Sequence, residues 1–215
     1  MKEGKYEHVP MVVIRRLPRY YRYLGELVEH KVERISSQSL ADMMGISASQ
    51  LRQDLNHFGE FGQQGYGYRV EDLYQEIGRI IGLEREYNMV IVGAGNLGQA
   101  LANYPNFSKR GFTLKGVFDI NPKLIGLRLR DNEIMDIDKL EEFIRTNEVS
   151  IGIITVPKEA AQEVADRMVR AGIKAIWNFA PVDINVDPNV ILVNEHLADR
   201  LMVISFRLQE LGFYD

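Results

Sequence analysis

The 215-residue sequence contains no cysteine. That absence removes disulfides, thiolate metal sites and thiol redox switches in one step. A chain of this composition that responds to redox state has to read a ligand. Histidine is scarce: His8, His30, His57 and His196 are scattered, with no HExxH or other paired spacing, so no metal site is expected. No run approaches the roughly 18 apolar residues that a membrane helix needs. The stretch after Met1 opens no apolar signal core, so a cytoplasmic protein without a membrane partner is expected. An excess of positive charge is also missing, with 26 Lys and Arg against 30 Asp and Glu. Residues 1–80 balance 11 cations against 11 anions, and the remainder carries the whole net charge of −4. Any affinity for nucleic acid must therefore rest on local geometry, such as the cluster Arg15, Arg16, Arg19 and Arg22.

What is present is ordinary globular material, 46% hydrophobic and 26% charged, enough for one large or two small domains. No internal repeat or low-complexity tract interrupts it. The pattern falls into three parts, 1–84, 85–195 and 196–215. In the first, Leu17, Tyr20, Tyr21, Leu24, Leu27 and Val28 recur at helical spacing within Arg15–Glu29, with Pro18 near the start, where proline is tolerated. Ser36 or Ser37 caps a short helix that Gly45 ends. Ser47 or Ser49 opens another that runs through Phe58, with Leu51, Leu55 and Phe58 on one face. Two short helices joined by a tight glycine turn form a helix-turn-helix. Phe61–Val70 carries three glycines among aromatic and β-branched residues, which predicts a β-hairpin and so a winged helix. Glu71–Leu83 reads as a helix leading out of this part.

The second part alternates strands and helices. Asn88–Val92 is a near-continuous apolar run, as in a buried parallel strand. Helix Gln99–Asn103 and strand Thr113–Phe118 follow. Further on, helices are predicted at Leu140–Thr146 and Lys158–Ala171, and strands at Val149–Val156, Lys174–Asn178 and Val190–Val193. Such alternation predicts a Rossmann-like α/β fold with a doubly wound parallel sheet. The third part, His196–Leu211, is one amphipathic helix, free to pack on its own domain or on a partner subunit.

The glycine motif Gly93-Ala94-Gly95-Asn96-Leu97-Gly98 carries the strongest chemical signal. It follows a strand, opens a helix and precedes an acid at the end of the next strand. Gly93 permits the tight turn, Gly95 lets the backbone approach a pyrophosphate, and Gly98 lets the helix lie close on the strand. Asp119, 21 residues after Gly98, can accept hydrogen bonds from a ribose diol and repels a 2′-phosphate, which favours NADH and NAD⁺. The same turn also suits CoA or a flavin. Tyr104 lies just past the phosphate-binding helix, placed for the nicotinamide or simply for the core or surface. Thr155-Val156-Pro157 and Asn178-Phe179-Ala180 end strands on the ligand edge of such a sheet, as wall residues or as plain turns. A dehydrogenase needs an acid or base at the substrate carbonyl. This part offers no convincing one, and no domain of substrate-binding size follows. A cofactor site without a substrate site suggests sensing rather than catalysis; a small NAD-dependent oxidoreductase with an accessory helical domain is the rival reading.

In the helix-turn-helix, Ser47, Ser49, Gln50, Arg52, Gln53, Asn56 and His57 form the polar side of the second helix. Arg pairs bidentately with guanine and Gln with adenine in the major groove. A face of this kind can also be merely solvated. Gln63, Gln64, Gly65, Tyr66 and Gly67 make the tip of the hairpin, where glycine permits close approach to a minor groove. The four N-terminal arginines, Arg15, Arg16, Arg19 and Arg22, are candidate phosphate contacts or plain surface residues.

Taken in order, these segments resemble the Rex family of redox-sensing repressors over nearly the whole length. The matching stretches include Arg16-Leu17-Pro18, Leu51-Arg52-Gln53-Asp54-Leu55, Gly65-Tyr66-Gly67-Tyr68, the glycine motif, Phe118-Asp119 and Asn178-Phe179-Ala180-Pro181. The resemblance implies a homodimer with a winged-helix domain and a Rossmann domain, its last helix exchanged between subunits. It also implies palindromic operator DNA with TTGTG-like arms, bound in the presence of NAD⁺ and released by NADH. Arg52 would read a guanine, Tyr104 would lie by the nicotinamide, and Arg22 would belong to an interdomain switch. The chain departs from the family in two places. Gln63-Gln64 stands where the wing is usually basic, and His196 stands where some relatives begin the last helix with Asp.

Overall fold

A computed structural model describes residues 6, 8–59, 61 and 66–213, and the chain divides into two compact units between Arg85 and Glu86. The first opens with α1 (Met11–Ile14) and α2 (Leu17–Glu29). Pro18 sits in the first turn of α2, where a missing N–H costs nothing. Next come β1 (Arg34–Ile35), α3 (Ser37–Met44) and α4 (Ala48–Asn56). The caps are Ser36, whose Oγ accepts from the Ser39 amide, and Ser47, whose Oγ accepts from the Gln50 amide. Gly45 turns the chain between the two helices at φ +63°. β2 (Tyr68–Arg69) and α5 (Val70–Ile80) complete the unit. Its core joins Leu17, Tyr20 and Leu24 of α2 to Leu40, Leu51, Leu55 and Ile77 of α3, α4 and α5. Each such side chain taken out of water contributes about 1.5–3 kcal/mol.

The expected hairpin is only partly seen. Residues 62–65, with the candidates Gln63, Gln64 and Gly65, lie outside the described residues. Tyr68 and Arg69 pair antiparallel with Ile35 and Arg34, so β2 finds its partner before the helix-turn-helix. A two-residue strand is too short to show alternation, so β1 left no sequence signal. Gly67 is required at the entry to β2: at φ +70°, a Cβ there would lie 2.4 Å from the Ile35 carbonyl oxygen.

The second unit comprises β3 (Tyr87–Val92), α6 (Asn96–Ala102), β4 (Phe112–Asp119), β5 (Arg128–Leu129), β6 (Asn132–Asp136), α7 (Leu140–Thr146), β7 (Ile151–Ile154), α8 (Lys158–Ala171), β8 (Ala175–Asn178), β9 (Ile191–Asn194) and α9 (Leu197–Glu210). The strands form one seven-stranded sheet in the order β5-β6-β4-β3-β7-β8-β9. Every pairing is parallel except β5 with β6. The short, polar β5–β6 edge has no apolar run and was not expected from the sequence. Central β3 is flanked by β4 and β7, so the winding reverses there and a crevice opens at their C-terminal ends.

The two faces of the sheet are covered unequally. Helices α7 and α8 bury one face with Leu140, Ile144, Val164, Ala165 and Met168. The other face receives Leu101 and Ala102 of the short α6, with Phe107 and Phe112. Past β7 this second face is open: Ile191 and Val193 of β9 are 68% and 47% exposed. Helix α9 buries none of its residues, and Leu197, Leu201, Met202, Ile204 and Phe206 are each 52–66% exposed.

Candidate functional site

The crevice at the ends of β3, β4 and β7 encloses about 530 Å³. Among the expected residues, Gly93, Gly95, Leu97, Asp119, Thr155, Val156, Pro157 and Phe179 line it. The loop that crosses it is fixed from below. The Ala94 amide donates to Asp119 Oδ2 at 2.6 Å, and the Ala94 carbonyl accepts from Gln99 Nε2 at 2.8 Å. Thr155 Oγ1 donates to the Gly93 carbonyl at 2.7 Å, tying β7 to the same loop. The three glycines then separate by cause. A Cβ on Gly98 would lie 1.8 Å from the Gly93 carbonyl oxygen, and one on Gly93 would lie 2.6 Å from the Thr155 carbonyl oxygen. Both glycines are demanded by packing. A Cβ on Gly95 would meet nothing within 4 Å. The fold therefore gives no reason for that glycine, and the space before it is where a phosphate could approach the amides that open α6.

The remaining expected residues stand outside the wall. Asn96 is exposed at the start of α6. Asn178 is fully buried; its Nδ2 donates to the Val182 carbonyl and to Asn194 Oδ1, and its Oδ1 accepts from the Ala180 amide. Asn178 and Ala180 thus pin the turn that presents Phe179. Tyr104 is 45% exposed and packs edge-on against Phe107 at 4.9 Å, while its hydroxyl accepts from Asn106 Nδ2. His196 lies at the head of α9, and its Nε2 is 3.0 Å from Asp183 Oδ1. The hydrogen bond to Asp183 raises the His196 pKa, and the neighbouring charges of Asp183, Asp199 and Glu195 add to it.

In the first unit α4 buries Ala48, Leu51, Asp54 and Leu55 and exposes Ser49, Arg52, Gln53 and Asn56, with Gln50 and His57 half-buried. Arg52 is held in place by Nη1 donating to Ser37 Oγ at 2.8 Å. Tyr66, at the base of the expected wing, is 71% exposed. The four arginines have different surroundings. Arg15 is exposed, and Arg22 is exposed above the Tyr23 ring at 5.6 Å. Arg19 donates to the Met44 carbonyl at the C-terminal end of α3. Arg16 donates through Nε and Nη2 to the two oxygens of Asp54, which also accept from Tyr20 and Gln50. Burial by itself would raise the Asp54 pKa; the bonds from Arg16, Tyr20 and Gln50 outweigh it and hold the carboxyl below its ordinary value. Arg16, one of the candidate phosphate contacts, has its Nε and Nη2 donors committed to Asp54.

Two family models match the chain. One, described as "CoA binding domain", covers residues 84–182; the other, "Putative DNA-binding protein N-terminus", covers residues 8–56. The redox-sensing transcriptional repressor Rex of Thermoanaerobacter pseudethanolicus is 60% identical over 207 residues, spanning 96% of this chain and 92% of that protein. The chain belongs to the Rex family of redox-sensing transcriptional repressors. Among solved structures, the repressor RSP in complex with β-NAD⁺ and operator DNA is 59% identical with a TM-score of 0.91, covering 96% of this chain and 95% of that one. RSP in complex with β-NADH is 56% identical with a TM-score of 0.87, covering 96% and 97%.

Three residues of this Rex-family chain escaped the sequence reading. Asp54 sits between Leu51 and Leu55 on the buried stripe of α4, and an acid in that position requires a cation; this spacing was the available signal. Phe107 and Trp177 join Tyr104 to Phe179 through ring contacts, and no local pattern announces contacts between such distant positions. Among the described residues no helix is long and apolar enough to cross a membrane, and no cluster of three acids or histidines could hold a metal ion.

Proposed function

We propose that this chain is a repressor that binds palindromic operator DNA as a homodimer and releases it when NADH fills the crevice. One observation carries the reading: a glycine loop whose central glycine serves no packing purpose shares a chain with a helix-turn-helix that exposes Arg52, Gln53 and Asn56. Those side chains would read base edges, Arg15 and the α4 cap region would meet phosphates, and residues 63–67 would enter the minor groove. Arg22, Tyr104 and His196 would form the switch between the two liganded states.

The crevice suits binding better than turnover. Asp119 is the titratable side chain of its wall, and both its oxygens accept backbone amides, from Ala94 and Asn121. A group so employed supports the loop and would suit a ribose diol better than proton transfer, which favours a sensor over an enzyme. Oxidised nicotinamide is cationic and reduced nicotinamide is neutral, so the apolar wall of Val156, Pro157 and Phe179 favours NADH. Moving the dimer from almost fully bound to almost fully released requires about 5.5 kcal/mol of differential affinity. The dimer itself would form by exchange of α9, whose exposed apolar side matches the open sheet face beside β9. The repressor would work in the cytoplasm, where DNA and the nucleotide pool meet.

The test is fluorescence anisotropy of the full chain on a labelled duplex with TTGTG-like arms, at fixed salt. Nanomolar binding that NADH abolishes, and that NAD⁺ and CoA leave intact, is expected. Binding indifferent to all three nucleotides would refute the sensor reading.

A further inference from the structure

Four rings run in sequence along the less covered face of the second unit. Tyr104 meets Phe107 at 4.9 Å, Phe107 meets Trp177 at 6.4 Å, and Trp177 meets Phe179 at 4.5 Å. The ends of this chain differ in kind: Phe179 is part of the crevice wall, whereas Tyr104 is outside it. Trp177 is the joint. It lies in β8, in register with Val193 of edge strand β9, so the two side chains share a face of the sheet. Val193 and, two residues before it, Ile191 are exposed there. One side of the only tryptophan in the sequence therefore braces the wall of the crevice, and its other side borders the open apolar face.

We propose that Trp177 is the positioning residue that converts the oxidation state of the bound nucleotide into movement of the open sheet face, by bracing Phe179 and linking it to Val193 and, through Phe107, to Tyr104. The proposal rests on the reading of the crevice as a nicotinamide dinucleotide site. Aromatic side chains have few rotatable bonds, and packed rings hold preferred mutual geometries; the Trp177 and Phe179 rings are tilted by 49°. A neutral ring seated against Phe179 keeps the stack closed. A cationic ring at the same place retains more of its water and leaves Phe179 less firmly held. Trp177 shares that displacement because its ring touches both Phe179 and Phe107. The second copy's α9, the proposed cover of the open face, would meet Trp177 beside Val193.

The sole tryptophan supplies the test. Full-length protein labelled with 5-fluorotryptophan gives one ¹⁹F resonance, and calorimetry on the same sample reports nucleotide binding independently. The resonance is expected to move to different positions with saturating NADH and with NAD⁺. In unlabelled Trp177→Ala, the ratio of NAD⁺ to NADH dissociation constants should fall about tenfold, mainly through weaker NADH binding, with the oligomeric state unchanged. Trp177→Phe should keep the ratio within threefold of the parent. Equal weakening of both nucleotides, or an unchanged ratio, would make Trp177 a packing residue and overturn the proposal. If Trp177→Ala does not fold, the labelled parent still decides: bound nucleotides that leave the resonance in one place overturn the relay alone. Failure of the parent to bind either nucleotide would overturn the dinucleotide reading with it.

Discussion

The guanidinium of Arg16 holds the carboxylate of Asp54 through two hydrogen bonds, each 2.6 Å long, across 38 residues of sequence. This pair locks α4 to the segment just before α2, and Asp54 is only 1% exposed. Breaking a buried pair by removing one partner costs about 3–5 kcal/mol, because the other charge is left unpaired. Arg16 is 28% exposed, so water softens the loss toward the lower end. Arg16→Ala should therefore lower the stability of the first unit by about 3 kcal/mol, measured by denaturant unfolding. Arg15→Ala should leave stability unchanged and reduce the salt dependence of operator binding by about 1.8 in log–log slope, about 0.9 for each subunit of the dimer.

Asp54 also sets an acid limit. Its folded pKa is depressed below 3.8, so its contribution is present above the unfolded value and is lost as pH falls through the folded value. Unfolding of the first unit, followed by circular dichroism, should shift to lower denaturant on acidification. Asp54→Asn should be less stable at neutral pH and flatter across the acid range.

Gly95 and Gly98 make opposite predictions although they belong to one motif. Gly98→Ala drives a Cβ into the Gly93 carbonyl and should cost about 2 kcal/mol or more of stability. Gly95 has φ −70°, which alanine accepts, and open space where the Cβ would go. Gly95→Ala should fold normally and bind NADH at least about tenfold more weakly, a loss of about 1.4 kcal/mol. Calorimetry and thermal melts on both variants separate the two effects; normal NADH binding by Gly95→Ala would move the phosphate elsewhere.

His196 and Asp183 connect the head of α9 to the turn that follows Phe179. The bond to Asp183 raises the His196 pKa above its ordinary 6.5, so the stabilisation is fully present below that ordinary value and is lost as pH rises through the raised one. A histidine proton titration by NMR should show the elevated value in the parent and a return toward 6.5 in Asp183→Asn. An identical titration in both proteins would dissolve the link.

Much of this arrangement was legible in the sequence because it is carried by short-range patterns. The left-handed turn at Gly45 and helix α8 ended by Gly172 follow from local rules, which also narrowed each cap to two serines, of which Ser36 and Ser47 serve. The crevice was legible because Gly93, Gly98 and Asp119 are read by order and spacing. What escaped depends on contacts between distant positions. Strand β1 is two residues long, β6 is a short, largely polar strand beside the edge strand β5, and the Arg16–Asp54 pair joins separate helices. Asn178 ends β8 but its side chain serves a turn, and Tyr104, past the end of α6, packs against Phe107.

The central claim is that operator occupancy follows the ratio of reduced to oxidised nucleotide. The most direct measurement titrates that ratio at constant total nucleotide, with full-length protein and labelled operator at fixed salt, and repeats it at a tenfold higher total. The account predicts that both curves fall together, with half-release at the same NADH to NAD⁺ ratio. Release that ignores the ratio, or an operator that stays bound in pure NADH, would contradict it.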